Sequence, residues 1–407
     1  MKKFMYANLQ TFIADNGGAD SGAVDLPGVL GELSKLTISA GDTISRLNKD
    51  ISINTVLVKN TGARIQVRVE KNQAVLTVPV GLIFRFTLLF SVFTKQIHAY
   101  QIVIAPDGEW HNDVPFQDFS TESRQFHPLT YDAYSPNNIL TLSEKAKEIQ
   151  SQFSEEQIND VKALYSYAIS FALLHERAHV QSHFDLYSRI NNDSTNSDAE
   201  RALLIKIIET DADARAMADF VRLEFSAYFS EWSNADHTFA SFIQHEIFQK
   251  SHLLGMALVL WLALARPDIR PINGHDITSY SHPQVRMTAI SDTLGKTVLD
   301  AANRFDIPDP NCLAELSVVR FVRGALSAIS GATHEKLAYG PRRKEHIKQS
   351  LDFRYFLSMS VGVYAQRRVH ARAKHVNEMR EKSLKRIHGD SFLDYGLMKN
   401  CIQTFAE

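Results

Sequence analysis

The chain has 407 residues, with 44 Lys+Arg against 46 Asp+Glu and a formal net charge of -2. An apolar fraction of 44% and a charged fraction of 22% are those of ordinary globular proteins, which excludes a wholly disordered or collagenous chain and a molecule that binds polyanions as a whole. Two cysteines, Cys312 and Cys401, are too few for a disulfide framework or a cysteine-based zinc site, and point to a reducing, cytoplasmic setting.

The length predicts two or three domains. After Met1-Lys2-Lys3, the polar Asn8, Gln10, Asp15 and Asn16 interrupt any apolar run, so no signal-peptide core is expected. Residues 50–105 read as strand-rich. Ile65, Val67 and Val69 alternate with polar neighbours, the period-two pattern of a half-buried strand. Asn60-Thr61-Gly62 and Glu70-Lys71-Asn72 punctuate it as turns, and Gln101–Ala105 reads as another short strand. Gly81–Phe93 and Leu253–Ala265 are apolar, but both fall short of the roughly 18 residues a membrane span needs. Buried helices are expected there, and no transmembrane span.

Helical character begins near residue 140, where Ser143 opens a run. Ser154-Glu155-Glu156-Gln157 fits a capping box and predicts a helix from Ser154 to about Tyr187. The polar stretch Asn191–Ser197 predicts a loop, and helices are predicted at 198–229, 236–265 and 283–296. Residues 342–388 carry 13 Lys+Arg against 4 Asp+Glu, a local balance of +9. The expected fold class is therefore α+β, mainly α. Its regions are 1–115 strand-rich, 116–300 helical, and 301–407 helical and basic.

The chemistry centres on His175-Glu176-Arg177-Ala178-His179. Residues i and i+4 share one helix face, so two imidazoles there can point at one tetrahedral ion. The Glu beside the first His is then placed to take a proton from a water that the ion activates. With 16 His and 20 Glu in the chain, chance alone supplies a bare HExxH about 3% of the time. Arg177 must point to solvent or to a carboxylate. His183 continues the i+4 stripe, but lies roughly 12 Å along the axis from His175, too far to share an ion. It reads either as a supporting or substrate-facing residue or as an ordinary surface histidine. Glu209 and Asp213, also i and i+4, offer a third ligand and a carboxylate to hold an imidazole by its other N–H. The alternative is a solvated acidic face. Small residues at Ala212, Ala214, Ala216 and Ala218 permit two helices to approach closely. His245-Glu246-Ile247-Phe248-Gln249 starts like the motif but lacks its second His.

HExxH followed by Glu209-Thr210-Asp211-Ala212-Asp213 resembles the gluzincin group of zinc metallopeptidases. Ser281-His282-Pro283-Gln284-Val285-Arg286 adds a His-Pro block similar to that of HtpX-type, CAAX-protease-type and phage-exclusion Lit-type peptidases. The first two types span membranes several times, so the soluble Lit type is the nearer comparison. The three blocks occur in order over residues 175–286. The resemblance implies a zincin-like helical domain at 116–300, with Zn2+ on His175, His179 and Glu209. It implies Glu176 as the base, with Asp213 supporting a ligand. Arg286, in the first turn of a helix opened by Pro283, is placed to anchor a carboxylate, with Glu176, Asp213 and a substrate terminus as the candidates, and His282 or Tyr280 to stabilise an oxyanion. The expected function is peptide-bond hydrolysis of an intracellular protein or peptide substrate. The alternatives are a catalytically silent zinc protein, or a nucleic-acid binder using the basic residues 342–388.

Overall fold

The computed structural model describes residues 7–47, 50–88, 90, 139–232, 237–265 and 283–339. The predicted strand Gln101–Ala105, His282, Tyr280 and the basic stretch 342–388 lie outside the described residues. Within them the chain is α+β and mainly α, as its patterning requires.

Helices α1 (Ala7–Asp15) and α2 (Gly28–Leu47) precede three strands: β1 (Ser52–Val58), β2 (Gln66–Glu70) and β3 (Gln73–Pro79). The sheet order is β1-β3-β2, with β1 parallel and β2 antiparallel to β3. The alternating Val67 and Val69 fall on β2, as their period demands. Glu70 pairs with Gln73, and Lys71 takes a left-handed φ of 54° to close the hairpin between them. β3 runs directly into helix α3 (residues 80–88), so among the described residues no strand follows Pro79. The apolar run from Gly81 begins as buried helix, consistent with its short length.

Helix α4 (Ile139–Gln150) starts four residues ahead of Ser143, which sits inside it. Helix α5 (Glu155–Ala178) opens on the predicted capping box. The Gln157 amide donates to Ser154 Oγ at 3.2 Å, and the Ser154 amide donates to Gln157 Oε1 at 2.9 Å. The helix does not stop near Tyr187. It passes through one π-helical turn (His179–His183) and continues as α6 (Phe184–Asn192). After a polar turn, Ser197 and Glu200 form a second reciprocal cap, and α7 (Asp198–Trp232) begins there. Helices α8 (His237–Ala265), α9 (Pro283–Arg304) and α10 (Pro310–Tyr339) complete the described chain; α9 outruns its predicted end at 296 by eight residues.

One apolar core is continuous from the sheet and α2 through α5, α7, α8, α9 and α10. Thr37 Oγ1 and Tyr165 Oη, 2.8 Å apart and buried, tie α2 to α5. The apolar run of α8 is buried within this core, chiefly against α10. No helix among the described residues is long and apolar enough to cross a membrane.

The α8–α10 crossing depends on two glycines. A Cβ on Gly255 would lie 2.0 Å from the Phe321 carbonyl oxygen, and one on Gly324 would lie 1.9 Å from that of His252. Backbone cannot yield as a side-chain tip does. Gly255→Ala is therefore expected to lower unfolding stability by about 1–3 kcal/mol, despite alanine's better helix propensity. Urea titration of the two proteins checks this, and a stabilised variant would show that the helices do not cross so closely.

Candidate metal centre

Helix α5 and the π turn present His175, Glu176 and His179. Helix α7 presents Glu209 and Asp213. Ala212, Ala214, Ala216 and Ala218 are all buried. Glu209 and Asp213 are 5% and 0% exposed, so they do not form a solvated face. Arg177 turns away from this face to an ion pair with Asp219 and a 3.4 Å hydrogen bond to the Leu47 carbonyl. The Arg at that position is thus absorbed by the carboxylate its charge requires. The look-alike at His245 is exposed, and its ring lies 3.2 Å from the Gln249 amide.

Three donor groups converge. His175 Nε2 lies 3.0 Å from His179 Nε2 and 3.3 Å from Glu209 Oε2, and His179 Nε2 lies 3.5 Å from Glu209 Oε1. An ion bound tetrahedrally at about 2.0–2.1 Å from each donor needs donor separations of roughly 3.3 Å. The separations, 3.0–3.5 Å, bracket that value, with the two histidines facing different oxygens of Glu209. Among the described residues, His175, His179 and Glu209 are the group of His, Cys, Asp and Glu side chains that can hold a metal ion.

Each ligand has a backing. Asp213 Oδ1 is 2.9 Å from His175 Nδ1, close enough for an ion pair although off the line of the ring N–H. Asp213 is itself gripped in bidentate fashion by Arg286, whose Nε and Nη2 donate at 2.7 and 2.6 Å. Arg286 thus anchors the Asp213 carboxylate, and its charge also acts on Glu176. Tyr187 Oη donates to Glu209 Oε1 at 2.5 Å. His179 Nδ1 lies 3.0 Å from His183 Nδ1, and His183 Nε2 lies 2.8 Å from Asp211 Oδ2. His183 is buried, so it is not a surface histidine.

Electrostatics separate the two imidazoles. Burial opposes a charge on His175, but Asp213 and Glu209 outweigh it and raise its pKa to about 10. His179 is dominated by burial, which lowers its pKa to about 3. Burial also opposes charge on Glu209 and Asp213. The neighbouring histidines hold Glu209 below the usual carboxylate range, and Arg286 does the same for Asp213. Glu176 is half-buried, and the surrounding protein mass pushes its carboxyl up to about 7.

The centre opens on a cavity of about 310 Å³. Ile65, Val67 and Val69 from the β2 edge form one wall, and Phe184, Tyr187 and Trp261 another. His175, Glu176, His179 and Glu209 all reach its surface, so the open side of the donor triangle faces this space.

Sequence reasoning missed Tyr187, Asp211, Trp261 and the β2 wall. Tyr187 was accessible, since it extends the i+4 stripe of 175, 179 and 183 by one more step. Asp211 was not. Two residues along a helix turn it roughly 200°, away from Glu209.

No protein-family model, curated protein or solved structure matches the chain.

A ligating imidazole must be neutral. The metal-free site therefore carries one proton on His175 at pH 7, and an incoming ion displaces it. The sign follows: apparent metal affinity rises about tenfold per pH unit until the pH reaches the His175 value of about 10. Calorimetry in buffers of different ionisation enthalpy should record about one proton released per ion. No proton released at pH 7 would mean that His175 is already neutral in the metal-free site.

Proposed function

We propose that this chain is a zinc-dependent endopeptidase of gluzincin type, hydrolysing a peptide bond of an intracellular protein with activated water. The observation that carries the reading is the donor triangle of His175, His179 and Glu209, open to a cavity that Glu176 also faces. Two imidazoles and one carboxylate are a common zinc donor set, and a three-ligand site leaves a position for substrate or water. The sheet edge beside the HExxH helix is in keeping with a zincin-like arrangement. The cytoplasmic setting rests on the two cysteines.

A zinc ion at this site, when bound, polarises a carbonyl and acidifies water. The chain's residues do the remainder. Glu176 accepts the proton of the attacking water on its carboxylate, and then passes it to the nitrogen of the leaving amine. Burial raises its pKa above that of an ordinary carboxylate, the direction that favours returning the proton to the amine. Tyr187 and Asp213 hold Glu209 and His175 in place during the exchange. Ile65, Val67, Val69 and Trp261 make the cavity wall apolar, which limits competing water.

The test is metal removal against an unbiased peptide library, read by mass spectrometry. New termini are expected with the zinc-loaded chain, absent after chelation, and restored by zinc. Cleavage that survives complete chelation would contradict the proposal.

A further inference from the structure

A buried column stands behind His179 that the proposed chemistry does not use. His183 and Asp211 have fully buried side chains, and Arg215, at 22% exposure, closes the column towards the surface. The contacts run in one line. His179 Nδ1 and His183 Nδ1 are 3.0 Å apart, His183 Nε2 and Asp211 Oδ2 are 2.8 Å apart, and Arg215 Nε donates to the same Oδ2 at 2.6 Å. The two histidines bound the π turn His179–His183, and their rings lie 5.1 Å apart at 62°.

The hydrogen positions follow from the far end. Arg215 Nε can only donate, so the Asp211 Oδ2 that it reaches at 2.6 Å is an acceptor, and Asp211 lies here as the carboxylate of a buried ion pair. His183 Nε2 must then carry a hydrogen and donate it. In a neutral His183 ring the opposite nitrogen, Nδ1, is bare and accepts. His179 Nδ1 must therefore donate, which leaves His179 Nε2 bare, and Nε2 is the atom in the donor triangle.

We infer that His183 and Asp211 are positioning residues, forming a two-membered relay that locks His179 in the tautomer and orientation needed to ligate a metal. The inference rests on the metal-centre reading above. The two ligand imidazoles are thus held by separate salt-bridged carboxylates: His175 by Asp213 with Arg286, and His179 through His183 by Asp211 with Arg215. Because the two columns share no residue, loss of one leaves the other ligand in place.

The test uses the full chain and zinc itself. In the zinc-loaded wild type, long-range proton–nitrogen NMR of the imidazoles should place hydrogen on His179 Nδ1 and on His183 Nε2. The reverse tautomers would overturn the relay, and this readout needs no variant. His183→Phe keeps the ring volume and removes the acceptor. Zinc affinity, measured by chelator competition, should fall about 10–100-fold. His183→Gln, whose amide oxygen can accept from His179 Nδ1, should recover most of that loss. Unchanged affinity in folded His183→Phe overturns the relay while the metal centre stands. A wild-type chain that takes up no zinc overturns both.

Discussion

Glu176→Gln is expected to keep the zinc and lose cleavage, with kcat lower by about 10²–10⁴-fold and KM little changed. The isosteric amide cannot accept a proton, whereas His175, His179 and Glu209 are untouched. The fold should tolerate it. Burial raises the Glu176 carboxyl to about 7, so ionising it costs stability above that pH and costs nothing below its ordinary acidic value. Gln removes that cost, and the metal-free variant should be at least as stable as the wild type at pH 8. Cleavage of any library-derived substrate, assayed beside zinc content, checks both halves. Undiminished turnover in a zinc-loaded variant would remove Glu176 from the mechanism.

Glu209→Ala is expected to weaken zinc binding by more than about 100-fold, since the loss of an outer partner alone costs 10–100-fold. Glu209 is 5% exposed and receives the Tyr187 hydroxyl, so its removal also deletes that hydrogen bond. His175 retains its contact with Asp213, and only the two imidazoles are left to hold the ion. Chelator competition measures the change. Affinity within a few-fold of the wild type would mean that another group supplies the third donor.

Much of this site was legible in the sequence because it is written in helical spacing. His175 with His179, and Glu209 with Asp213, are i and i+4 pairs, and a helix puts such pairs on one face whatever the tertiary context. The capping box at Ser154 was legible for the same local reason. The matching cap at Ser197 carries an equal signal in Glu200. What escaped depends on neighbours distant in the chain. Ile65, Val67 and Val69 announce a strand, but not that its edge walls the cavity. Arg286 was seen as a carboxylate anchor, but only packing selects Asp213 among the candidates. The π turn bounded by His179 and His183 has no periodic signature. Helix ends were misjudged where packing, not propensity, extends the helix, as at Asn192 and Arg304.

The central claim is that His175, His179 and Glu209 hold one divalent ion, and metal content of the purified, folded chain tests it most directly. Mass spectrometry should find about one zinc per chain after zinc is supplied and excess removed, and far less in Glu209→Ala prepared alongside. A folded wild-type chain that retains no divalent metal would contradict it, and would leave the donor triangle as a buried, proton-bridged ion pair.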